Sequence, residues 1–180
     1  MRLWLDLLFR PTLGARRVSH TKLGGYGALA VLGGLWTGLM VLLALGNHQP
    51  TMSRGLFVAP ERYYLTAALY IGPLCMVLGE IYSRIACAVA GADDRRCALR
   101  IAYAAVVGSV FVLPDLFAYL FVGHEAMGLV VRLTAPITVV WLLASSTAAL
   151  REATTSGRRA FAAALIALIV QAIPAALLIR

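Results

Sequence analysis

Five apolar blocks, at about Leu23–Gly46, Tyr64–Val89, Leu99–Val122, Ala126–Leu150 and Ala160–Leu178, divide this chain. A helix of roughly 20 apolar residues crosses a hydrocarbon core of about 30 Å, and each block reaches that length. Connections between them are short: Asn47–Tyr63 with Pro50 and Pro60, the polar turn Ala90–Ala98, the tight turn Gly123–Glu125, and Arg151–Arg159. None is long enough to fold as a separate domain, so the expectation is one all-α domain over residues 1–180, a polytopic bundle of five transmembrane helices.

Composition agrees. The 180 residues are 61% hydrophobic and 13% charged, against about 45–50% and about 25% in ordinary soluble domains. A water-soluble globule, a disordered tail and a disulfide scaffold are thereby excluded. A net charge of +8 would suit nucleic acid, but the basic residues sit between the apolar blocks, where membrane proteins place their topogenic charge. No nucleic-acid partner is expected.

Residues 1–22 read differently. Arg2, Asp6 and Arg10 interrupt Leu3, Trp4, Leu5, Leu7, Leu8 and Phe9 at spacing four, stacking charge on one helical stripe. Such a segment lies along a membrane surface, and Pro11 ends it. A cleavable signal is not expected, because the first block is span-length and no A-x-A-like site follows it.

Basic residues set the orientation. Arg2, Arg10, Arg16, Arg17, Lys22, Arg95, Arg96, Arg100, Arg151, Arg158 and Arg159 fall on one side, and Arg54, Arg62 and Arg180 on the other. Eleven against three predicts a cytoplasmic N-terminus and an outside C-terminus in the cell (inner or plasma) membrane. Tyr63, Tyr64 and Tyr119 near the outer ends, and Tyr26 and Tyr103 near the inner ends, suit aromatic belts.

Motifs for chemistry are sparse. Cys75, Cys87 and Cys97 form no C-x-x-C, and His20, His48 and His124 form no H-x-x-x-H or H-E-x-x-H, so neither zinc nor haem is expected. Ser109, Ser145 and Ser146 lie in spans without an intramembrane His or Lys as base. Phosphate-binding glycine loops are missing, and Asp93-Asp94 beside Arg95-Arg96 reads as a solvated charge cluster. Neither an enzymatic activity nor a cofactor is expected.

Four charges fall well inside the blocks, Glu80, Arg84, Asp115 and Arg132, while Arg100, the second residue of its block, counts with the flanking basic residues. Each is costly in lipid and marks a site by default. Glu80 and Arg84 have the favourable i,i+4 order for an ion pair. Asp115 lies nine residues before His124 and Arg132 eight after it. Both therefore sit roughly 12–13 Å from the hairpin tip, and a second pair is expected. Two readings follow: pairs that neutralise themselves and lock helices together, or a path for protons or ions.

Small residues predict where helices approach. Ala30, Gly34 and Gly38 make a small-xxx-small face on the first span, and Ala160, Ala164 and Ala167 an alanine face on the fifth. Pro73, Pro114, Pro136 and Pro174 interrupt spans and free backbone carbonyls, as membranes tolerate where neighbours re-satisfy them.

Glu80-Ile-Tyr-Ser-Arg84, the Gly91 turn, Arg100-Ile-Ala-Tyr103 and the later Pro114 together resemble the Yip1 family of five-span membrane proteins. Trp141 to Glu152, then Arg159-Ala160 opening the last helix, is similar to that family, as is the opening Leu7-Leu8-Phe9-Arg10-Pro11. The resemblance implies a multi-pass protein of vesicle-membrane or bacterial inner-membrane type, with no catalytic residue to carry over. Eukaryotic relatives associate with small GTPases and with one another. Their Asp-Leu-Tyr-Gly-Pro motif is absent before the first span here; Leu69-Tyr70-Ile71-Gly72-Pro73 echoes it in a different span.

The expectation is a non-enzymatic scaffold or accessory subunit that meets the lipid bilayer and a membrane-protein partner, or a second copy, through its spans. The alternative is a small transporter or channel using Glu80, Arg84, Asp115 and Arg132.

Overall fold

The computed structural model describes residues 25–48, 62–154 and 156–179, with side chains through Ile173 in the last helix. The interfacial segment expected over 1–22, most of the 47–63 connection and Arg180 lie outside the described residues. Those residues are helical, with no strand among them. In an apolar medium only a helix satisfies every backbone group within one segment.

The helices are α1 (Tyr26–Leu45), α2 (Tyr63–Ala90), α3 (Arg96–Val106), α4 (Leu113–Phe121), α5 (His124–Arg151) and α6 (Gly157–Ile179). A 3₁₀ turn, Asp93–Arg95, leads into α3, and a π-helical turn, Val107–Val112, joins α3 to α4. Four continuous helices, Tyr26–Leu45, Tyr63–Ala90, Asp93–Phe121 and His124–Arg151, are long and apolar enough to cross a membrane. That is the property of a multi-pass membrane protein.

The third helix starts earlier than the sequence predicts. Ala90–Ala98 was expected as a polar turn, but the chain reverses at Gly91 and is helical again from Asp93. Gly91 takes φ 71° and its N–H caps the Cys87 carbonyl at 2.8 Å, a left-handed helix end that favours glycine. Asp93 and Asp94 then occupy the first turn, where negative charge complements the helix dipole.

Prolines bend the pattern without ending helices. Pro73 and Pro136 lie inside continuous α2 and α5, and the π turn immediately precedes the segment with Pro114.

At the centre, α2 packs against α1, α3 and α6, while α3 packs against α1 and α5. The main core gathers Leu29, Leu32, Tyr82, Leu99, Val106 and Leu150, all fully buried. The alanine face expected on the last helix is buried through Ala160, Ala164 and Ala167.

The glycine face expected on α1 meets no other helix among the described residues. Ala30, Gly34 and Gly38 are exposed, and a Cβ on Gly34 or Gly38 would meet nothing within 4 Å. The close approach comes one position earlier, at Gly33, which abuts Gly72 of α2. Helical rotation is about 100° per residue, so a shift of one position moves the contact off the Ala30–Gly34–Gly38 stripe.

Candidate functional site

Three polar layers cross the bundle. At the arginine-rich end, Glu80 of α2 accepts hydrogen bonds from Arg100 of α3 at 2.7 and 3.1 Å and also pairs with Arg84. The Arg100 guanidinium stacks over the Tyr26 ring at 4.1 Å. Arg84 is 64% exposed at its side chain and Arg100 only 9%, so Arg100 is the partner that matters inside the bundle. The expected Glu80–Arg84 bond is present; its third member was not foreseen.

Further out along this end, Arg95 pairs with Glu152 at the close of α5 at 3.3 Å, and Arg96 with Asp93 at 2.7 Å. Arg159 donates to the Val89 carbonyl at 3.3 Å. Arg95–Glu152 and Arg159–Val89 clamp the α2–α3 turn to the α5–α6 turn, while Asp93 and Asp94, largely exposed, pair with Arg96 and Arg95 within their own turn.

In the middle layer, the Tyr82 hydroxyl donates to Ser146 Oγ at 2.7 Å, and Gln171 Nε2 donates to the Tyr103 hydroxyl at 2.6 Å. The two tyrosine rings lie 5.6 Å apart. These bonds connect α2 to α5 and α3 to α6 through buried side chains, and Gly79 leaves room for Leu29 and Tyr103 beside them. Buried hydrogen bonds of this kind favour one arrangement of helices, although Gln171 Oε1 is buried without a hydrogen-bond partner.

The layer at the other end is aromatic. His48 and His124 rings stack at 4.6 Å and 10°, the Tyr64 hydroxyl lies 3.2 Å from His124 Nε2, and Tyr119 meets His48 edge-on at 5.6 Å. Asp115 sits one turn below Tyr119 on α4 and interacts electrostatically with Tyr64. It is 6% exposed, and its Oδ1 is buried without a hydrogen-bond partner.

The expected Asp115–Arg132 pair does not form. Asp115 faces the interior, whereas Arg132 is exposed on the outer side of α5. Equal depth along a hairpin leaves the direction around each helix open, and here the two directions diverge. Cys75 and Cys87 are buried thiols, and among the described residues no group of three or more His, Cys, Asp or Glu is arranged to hold a metal ion. No family model matches the chain, and no curated protein or solved structure matches it significantly.

Proposed function

We propose that this chain is a non-enzymatic, multi-pass protein of Yip1-like type that works as a helix-packing scaffold or accessory subunit of a membrane complex. In this reading α6 is a fifth span, residues 1–22 form an interfacial helix, and the N-terminus is cytoplasmic in a bacterial inner membrane. Support for α6 comes from its 23 residues, about 35 Å of helix.

One observation carries the functional reading. Of the four apolar helices, α5 is the least buried, and Arg132 stands exposed on it between Leu129 and Leu133, which are 63% and 58% exposed. An arginine costs about 2.5–3.5 kcal/mol to insert at a helix centre and less nearer an end; Arg132 lies eight residues after His124, and the fold offers it no carboxylate among the described residues. A partner helix carrying an acidic or amide side chain at that depth offsets the cost and covers the apolar face.

The test is purification in mild detergent with native mass measurement. A stoichiometric complex is expected, kept by Arg132→Lys and lost by Arg132→Leu. A lone monomer, unchanged by Arg132→Leu, would sink the proposal. A small transporter remains the second reading, favoured by the orphaned oxygen of Asp115.

A further inference from the structure

At the arginine-rich end, α5 and α6 leave a groove of about 450 Å³ between them. Its floor is a single stripe of α5, where Val140, Ala144 and Ala148 recur at spacing four, and Phe161 of α6 closes the far wall. The two alanines open the channel, since larger side chains there would fill it. The lining is almost wholly apolar until the last turn, where Arg151 forms the rim.

Polarity changes along the groove in a fixed order. Thr147, also in the lining, has a buried hydroxyl without a hydrogen-bond partner. It lies four residues before Arg151, about 6 Å deeper along the helix. Arg158 is exposed three residues before Phe161, on the same face of α6. Arg151 reaches across to the start of α6, where a Cβ on Gly157 would lie 3.7 Å from its Nε. The ion pairs of this end engage Arg84, Arg95, Arg96 and Arg100, and Glu152 is held by Arg95. The rim therefore presents Arg151 and Arg158 with no carboxylate paired to either among the described residues.

We propose that this groove binds one anionic diacyl phospholipid. An acyl chain lies along Val140, Ala144, Ala148 and Phe161, and the phosphate meets Arg151 and Arg158. Cation and apolar channel follow each other in the order of headgroup and chain, while the buried Thr147 hydroxyl stays behind the groove wall. Charge selects the lipid: two arginines with no carboxylate paired to either among the described residues favour a net-negative headgroup over a zwitterionic one. The N-terminus of α6 adds its positive dipole end to the rim.

The experiment is native mass spectrometry of the full chain released from nanodiscs holding equal phosphatidylglycerol and phosphatidylcholine of identical chains. One phosphatidylglycerol should be retained, with a preference on the order of tenfold. Arg151→Gln with Arg158→Gln should erase the preference, and Ala148→Phe, which fills the channel, should reduce retention of both lipids. Arg62→Gln, at the opposite end, should change neither. Equal retention of the two lipids, a preference that survives the double arginine change, or retention unaffected by Ala148→Phe would each overturn the assignment. So would full displacement by soluble glycerol phosphate, which would make the site one for free phosphate esters.

Discussion

Gly33 of α1 and Gly72 of α2 bring two helix backbones into contact: a Cβ on Gly33 would lie 2.9 Å from the Gly72 carbonyl oxygen and 3.1 Å from its Cα. Backbone cannot yield as a flexible side chain does, so any larger residue at Gly33 forces α1 away from α2. Overpacking of this kind costs about 1–3 kcal/mol, and more where backbone must move.

Gly33→Leu should therefore lower the melting temperature in detergent sharply, whereas Gly34→Leu, with open space around it, should leave the monomer's stability nearly unchanged. If Gly34→Leu spares folding but dissociates a complex, the Ala30–Gly34–Gly38 stripe is a contact with another chain. Equal damage to the monomer from both changes would refute the packing described.

Glu80 offers a second comparison. Arg100 is buried against it and Arg84 is largely exposed, so the two arginines should differ. Removing one partner of a buried pair costs about 3–5 kcal/mol in soluble proteins, softened in lipid, whereas an exposed pair contributes little. Arg100→Gln should destabilise strongly, Arg84→Gln hardly at all, and Glu80→Gln combined with Arg100→Gln should recover part of the loss. Unfolding titrations of the four proteins measure this directly.

The two charge pairs show what a sequence conveys about such a bundle. Glu80 lies eleven residues before Gly91 and Arg100 nine after it, a depth match slightly worse than that of Asp115 and Arg132 about His124. One hairpin joins its charges and the other does not. Hydropathy and turn residues fix where each helix runs and hence depth. The direction a side chain takes around the helix depends on crossing geometry, and that in turn on contacts such as Gly33–Gly72. Arg100 is legible from its spacing, but as the second residue of the Leu99–Val122 block and close to Arg95 and Arg96 it reads as one more flanking charge. The buried Tyr82–Ser146 and Tyr103–Gln171 bonds left no periodic signal, since a lone tyrosine or serine in an apolar run has no visible partner.

Topology has its own measurement. Reporter fusions after Arg17, Gln49, Asp94, Glu125, Ser156 and Arg180 should alternate in, out, in, out, in, out. The last pair decides whether α6 crosses: the same side at Ser156 and Arg180 would remove the fifth span and leave four.

Asp115 separates scaffold from transporter. Because Arg132 is not its partner, Asp115→Asn strands no cation inside the chain. Its buried Oδ1 already lacks a hydrogen bond, and an amide in its place carries no charge to hold away from water. On the scaffold reading Asp115→Asn should fold and assemble normally, with stability equal to or slightly above the original. Proteoliposomes of either protein should show the same background proton leak with a trapped pH-sensitive dye. A transporter would keep the folding result and change the flux: the original would dissipate an imposed pH gradient, and Asp115→Asn would not. Tyr64→Phe and His124→Gln, which alter the 3.2 Å contact above Asp115, should then slow the flux as well. Flux that depends on these three side chains, in protein that assembles normally, would make the outer aromatic layer a proton entry and end the scaffold reading.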